Sequence, residues 1–164
     1  MVGQLLSTIR NFDDVRKLVG QVGFNGVREY TPEWTATTTN PTIGNGTLRG
    51  VYLTGLGMCW ASIELIIGST TTLGSGTYEL TVPLDPHVLV GSIQTLTGCL
   101  LLTDLSAAKY GMGVVRLGSA RNAGLYAMAP SVTGAGEIGA LTEAKPFAWA
   151  AGDSILASIG YPIN

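Results

Sequence analysis

The sequence predicts an all-β chain: an antiparallel β-sandwich or jelly roll preceded by a short N-terminal helical arm. Three observations lead there. Between Tyr30 and Pro83, threonine, aromatic and β-branched residues alternate between glycine-rich turns and carry almost no charge, which suits strands and hairpins. Strand-like runs then recur roughly every dozen residues to the end of the chain, the rhythm of sandwiches and jelly rolls. Composition agrees. Glycine accounts for 23 of 164 residues, and charged residues for 12%, against about 25% in ordinary globular chains.

The first 29 residues differ from the rest of the chain and read as a partly helical docking arm, with the β-domain spanning 30–164. Asn11 is placed to cap a helix whose first turn carries Asp13 and Asp14, both favourable near a helix N-terminus. Phe12, Val15, Leu18, Val19 and Val22 recur at three-to-four spacing and share one face. Asp13 and Lys17 form an i,i+4 pair, and Gly20 or Gly23 would stop the helix. A helix of about ten residues is marginal alone and needs something to pack on. Two roles are open to it: covering one end of the β-domain, or contacting a partner or sister subunit. The apolar run near Met1 is too short and too soon followed by acids for a secretory signal, and no run of about 18 apolar residues predicts a membrane span.

Strands are expected in order. Glu33 to Thr39 comes first, with Trp34 inward. Leu48 to Leu53 and Met58 to Ile67 come next, split by the Gly55-Leu56-Gly57 bend. Asn45-Gly46 is a strong turn signal and should supply positive φ, as should Gly74 and Gly76. Tyr78, Leu80 and Val82 alternate with polar residues until Pro83 and Pro86. Further strands are expected at Ile93 to Thr103, Tyr110 to Leu117, Gly124 to Met128, a short piece at Glu137 to Ala140, and Ser154 to Ile159. Trp149 anchors the approach to that last strand, and Asp153 is placed to accept backbone N–H groups in the turn before it.

No combination of residues points to catalysis, a cofactor or a metal. His87 is the sole histidine and one histidine does not build a zinc site. Ser92, His87 and Asp85 lack the context of a triad, and Asp85 with Asp104 lacks that of a sugar cleft. Gly55-x-Gly57 and Gly111-x-Gly113 have no βαβ setting, and Gly134 to Gly139 reads as a loop. Cys59 and Cys99 sit in strand-like runs and read as buried thiols, with a bridge left open. A net charge of −2 provides no basic face for nucleic acid. Tyr52, Tyr110, Tyr126 and Tyr161 are candidates for contact with a partner or a sugar, or for packing.

Three stretches carry a resemblance. They are WTATTTNPTIGNGTLRGVY from Trp34 to Tyr52, GSTTTLGSGTYELTVP from Gly68 to Pro83, and KPFAWAAGDSI from Lys145 to Ile155 followed by Gly160-Tyr161. Together they resemble the jelly-roll module of virion surface proteins of actinobacteriophages, among them capsid decoration and minor tail proteins. Where that family carries a polar or charged residue after the Gly-rich bend, this chain has Met58 and Cys59. The resemblance implies a non-enzymatic homotrimer on the virion surface, most simply a capsid decoration protein. Its arm would dock on the major capsid protein through Leu5, Leu6, Ile9, Phe12, Arg16 and Val19. The alternative it implies is a minor tail or receptor-binding protein touching the host surface, with a host glycan as a further ligand.

Overall fold

A computed structural model describes residues 25–87, 96–118, 121–129 and 137–163. Among these residues every regular element is a strand: β1 (Arg28–Tyr30), β2 (Trp34–Ala36), β3 (Thr47–Gly55), β4 (Met58–Ile66), β5 (Tyr78–Thr81), β6 (Leu96–Asp104), β7 (Lys109–Leu117), β8 (Asn122–Ala129), β9 (Glu137–Ala140) and β10 (Ser154–Pro162). The expected helix around Phe12 to Val22 lies outside the described residues. Arg28 and Glu29, assigned to the arm from sequence, form the first strand instead and pair with Tyr52 and Val51.

All ten strands join one antiparallel ladder, ordered β1-β3-β4-β10-β6-β7-β8-β5-β2, with β9 added on β8. Local hairpins build β3–β4, β6–β7 and β7–β8. The last strand, β10, inserts between β4 and β6, so the middle of the sheet forms only when the C-terminus arrives. β1 and β2 stand at opposite ends of the ladder, yet only Thr31, Pro32 and Glu33 separate them. A three-residue link reaches about 10–14 Å across its ends, so the sheet must curl until its two edges meet. One hydrogen bond crosses the seam: the Tyr30 hydroxyl of β1 donates to the Thr81 carbonyl of β5 at 3.5 Å, while Glu33 and Thr81 extend the β2–β5 ladder by one more pair.

Curling encloses the apolar side chains that point inward at every second position. On β4 these are Cys59, Ala61, Ile63 and Leu65; on β10 Ile155, Ala157, Ile159 and Tyr161; on β5 Tyr78 and Leu80. Leu100 and Leu102 of β6, Val115 and Leu117 of β7, and Leu125 of β8 complete the same cluster. Each fully buried Leu or Ile stabilises the fold by about 1.5–3 kcal/mol relative to exposure. Tyr161 bridges the core to the 84–87 loop: its hydroxyl donates to the Leu84 carbonyl at 3.0 Å and lies 3.2 Å from the Leu84 N–H that it accepts. Burial, then the contact with Cys59, pushes the Tyr161 phenol well above its ordinary value; burial likewise raises Tyr30 and the Cys59 thiol.

The turns use the expected chemistry with one shift. In the β3–β4 hairpin both central residues are left-handed, Leu56 at φ 54° and Gly57 at φ 73°, the pairing a tight type I′ turn requires. Gly74 and Gly76 have positive φ as the sequence suggests, but in the 43–46 turn the left-handed residue is Gly44, not Gly46. Asn45 acts through its side chain there. Its Oδ1 accepts the Thr70 N–H at 2.9 Å and its Nδ2 donates to Ser69 Oγ at 3.0 Å, tying two loops together. Trp149 is an anchor, its Nε1 donating to the Thr142 carbonyl at 2.9 Å.

Candidate interaction surface

Two of the carboxylates that stand out in the sequence, Asp104 and Asp153, are engaged in holding turns. Asp153 is buried; its Oδ1 accepts the Leu105 N–H at 2.9 Å and its Oδ2 the Ala150 N–H at 2.7 Å, which fastens the 149–153 turn to the β6–β7 turn. Asp104 Oδ1 accepts the Ala107 N–H at 2.9 Å and the Ser106 hydroxyl at 2.8 Å. Those bonds, the backbone one first, hold its carboxyl below the usual range. The His87 backbone N–H donates to the Pro162 carbonyl at 2.8 Å, while Ser92 lies outside the described residues. The docking candidates Leu5, Leu6, Ile9, Phe12, Arg16 and Val19 also lie outside them. Cys59 is buried, but Cys99 is exposed, against the expectation of two buried thiols. They belong to β4 and β6, with β10 running between. Both are free.

What the ladder does assemble is an outward face. Register places Glu64 opposite Leu156, Leu156 opposite Leu101, and Leu101 opposite Met112, in one row across β4, β10, β6 and β7. The next row runs Val51, Ser62, Ser158, Cys99, Val114 and Tyr126. Val51, Trp60, Leu101, Met112 and Leu156 are all exposed there, as is Tyr110 nearby on β7, at 77%. The face is nearly devoid of charge. Its β3–β4 part carries Arg49 and Glu64, and these neutralise each other across the strands, Nε to Oε2 at 2.6 Å. Arg116 on β7 lies over the Tyr126 ring at 5.0 Å from its centroid. Contiguous exposed apolar area on this scale marks a contact surface more often than a bare monomer surface.

At one end the face deepens into a groove of 360 Å³ lined by Val27, Val51, Trp60, Ser62, Ser158 and Gly160 among others. Gly160 pairs with Trp60, and the indole lies over it where a side chain would otherwise stand. A larger, more polar hollow of 620 Å³ adjoins it along Glu29, Tyr30, Arg49, Glu64 and Leu156. Four candidate tyrosines separate by position. Tyr161 is core, Tyr52 packs edge-on against Tyr30 at 5.7 Å, Tyr126 lies under Arg116, and Tyr110 projects outward.

Sequence patterns hide this face because its members look like core. Leu101 sits inside the run Cys99-Leu100-Leu101-Leu102, where alternation is invisible. The one available signal was β10. With Ile155, Ala157, Ile159 and Tyr161 inward, Leu156 is an apolar residue on the outward parity.

Among known proteins, no family model and no solved structure matches the chain. The chain is similar to the Mu-like prophage FluMu defective tail fiber protein of Haemophilus influenzae, 26% identical over 134 residues. The match covers 82% of this chain and 20% of that protein, so the chain spans about a fifth of its relative's length.

Proposed function

We propose that this chain is a structural protein of a bacteriophage particle, a module of the tail fibre apparatus displayed on the virion surface. The observation that carries the reading is the similarity to a phage tail fiber protein across most of the chain. The outward face adds physical support: a closed β-module with Leu101, Met112, Leu156 and Tyr110 exposed suits a subunit that meets copies of itself or neighbouring fibre proteins. Its curled, single-core architecture suits the virion jelly-roll module that the sequence resembles. We read the role as non-enzymatic, with Asp104 and Asp153 engaged in turns. A homotrimer assembled through the outward face is the arrangement we favour.

Counting copies in purified particles tests this reading. A few to a few dozen copies per particle, located on the tail, support it. Copies in the hundreds spread over the head sink the tail assignment in favour of a capsid decoration protein, and absence from the particle sinks the structural reading altogether. Sedimentation of the isolated protein tests the trimer separately.

A further inference from the structure

The chain enters the described fold beside the Trp60 groove. Asn25 is pinned to the end of β3, its N–H donating to the Thr54 carbonyl and its Nδ2 to Thr54 Oγ1, both at 2.8 Å. Two residues later Val27 is 69% exposed and forms a wall of the groove with Val51 and Trp60. Twenty-four residues precede Asn25. Their sequence puts Phe12, Val15, Leu18, Val19 and Val22 on one side of a helical spacing, with Asp13, Asp14, Arg16 and Lys17 between them.

We propose that residues 1–24 of this same chain dock on the outer face of β3, β4 and β10, laying that apolar side over the groove beside Trp60 and Gly160. Three observations agree. The segment begins at the mouth of the groove, so its local concentration there is high and no foreign molecule need be recruited. The groove is lined by valines, Trp60, serines and glycine, with no charged side chain, which matches an apolar stripe and repels none of its neighbours. Dimensions fit as well: a helix of about ten residues is about 15 Å long, and three strands about 4.8 Å apart present a strip of similar width. The charged residues of the segment then face solvent. The proposal is independent of the virion reading, since it concerns only how this chain covers itself.

Cysteine scanning in the full-length protein tests it. Buried Cys59 stays, exposed Cys99 is replaced by Ser (Cys99→Ser), and Val51→Cys marks the groove. Single cysteines then go in at Val15, Arg16, Lys17, Leu18, Val19 and Val22, and each variant is treated with a short bis-maleimide. Docking predicts bridging within one chain at Val15, Leu18, Val19 and Val22, several-fold more than at Arg16 or Lys17. No positional pattern overturns the proposal. Bridges found only between chains overturn it in favour of a segment exchanged with a second copy. A second measurement avoids cross-linking: in full-length Val15→Asp/Val19→Asp, acrylamide quenching of Trp60 emission should rise several-fold, with the difference lost when Trp60→Phe is added. Unchanged quenching overturns the proposal equally.

Discussion

Trp60 lies across Gly160. The two residues are register partners on β4 and β10, and a Cβ built on Gly160 would meet the indole at 3.2 Å from Cδ1 and 3.4 Å from Nε1. An aromatic ring laid over a strand glycine covers backbone that would otherwise be open, and it keeps the outward face smooth at that point.

This contact predicts tolerance at Gly160 and intolerance nearby. In Gly160→Ala the half-exposed indole needs to give by only a few tenths of an ångström, and the alanine restricts the unfolded chain, worth about 0.4–1 kcal/mol. Its stability should stay within about 1 kcal/mol of the parent. Gly98 on β6 is different: a Cβ there would collide with the Ser158 carbonyl oxygen, which is backbone and cannot swing away. Gly98→Ala should lose about 1–3 kcal/mol. Urea midpoints compare the two, and a neutral Gly98→Ala would contradict the close approach of β6 to β10.

The buried tryptophans should respond unequally to phenylalanine. Trp34 packs edge-on against Tyr78 at 5.1 Å, and its buried Nε1 has no hydrogen-bond partner. Removing that N–H relieves a desolvated donor, so Trp34→Phe should lose less than about 1.5 kcal/mol. Trp149 Nε1 donates to the Thr142 carbonyl at 2.9 Å and approaches the Lys145 carbonyl at 3.3 Å. Trp149→Phe therefore loses bonds that are made as well as volume, leaves the Thr142 carbonyl with only the Lys145 N–H at 3.3 Å, and should lose about 1–3 kcal/mol. Thermal melts of both variants decide it; equal losses would contradict the difference in bonding.

Leu56 is a stabilisation site. It holds φ 54° in a two-residue turn while 66% of its side chain surface is exposed, so it carries the strain of a left-handed leucine and little compensating burial. Left-handed backbone costs a residue with a Cβ about 1–2 kcal/mol, and asparagine or glycine bears it more easily. Leu56→Asn and Leu56→Gly should each raise the melting temperature, by up to about 1 kcal/mol in stability. A drop in both would mean that Leu56 is covered in the assembled protein.

Stability should fall at both ends of the pH scale for different groups. The Tyr78 phenol is pushed up to about 12 by burial, with the Glu143 carboxylate adding to it, and Tyr30 and Tyr161 are also raised. A raised folded value means that folding resists ionisation. Stability is therefore complete below the unfolded phenol value near 10 and is lost as pH climbs from there through 12. Asp104 is lowered, so its contribution is present above the unfolded carboxylate value near 4 and is lost as pH falls through its folded value. Melting temperatures across pH should show a plateau between these limbs. Tyr78→Phe should flatten the alkaline limb and Asp104→Asn the acid one; unchanged limbs would remove these groups as the cause.

Neighbouring leucines on β6 should separate core from contact surface. Leu100 and Leu102 are buried at 2% and 0%, while Leu101 between them is 43% exposed. Leu100→Ala and Leu102→Ala should each lose about 2–5 kcal/mol of fold stability. Leu101→Ser and Leu156→Ser should leave the fold nearly unchanged, within about 0.5–1 kcal/mol, yet lower the sedimentation coefficient if this face joins subunits. A trimer that survives both serines would move the interface elsewhere.

Several strands were legible from sequence. The bounds expected for Met58 to Ile67, Tyr110 to Leu117 and Glu137 to Ala140 agree with β4, β7 and β9 to within a residue. Asp153 was legible too, because a carboxylate after Ala-Gly in a turn has few other uses. β1 was not: Arg28 and Glu29 are charged, solvent-facing and only a few residues from a helix-stopping pattern, so propensity pointed elsewhere. Ladder order was also hidden. The insertion of β10 between β4 and β6 depends on contacts roughly fifty to a hundred residues apart, which local patterns do not encode. The outward face shares that origin, since parity in an unbroken apolar run becomes readable only once the partner strands are known.

The two ends of the described chain return to one hairpin tip. Asn25 binds Thr54 and the Ile163 N–H donates to the Gly57 carbonyl at 2.9 Å, on either side of the Leu56 turn. The described fold is therefore tethered at a single pole. Tension applied between those two ends would pass from one tether to the other at that pole, leaving the far end of the curled sheet slack.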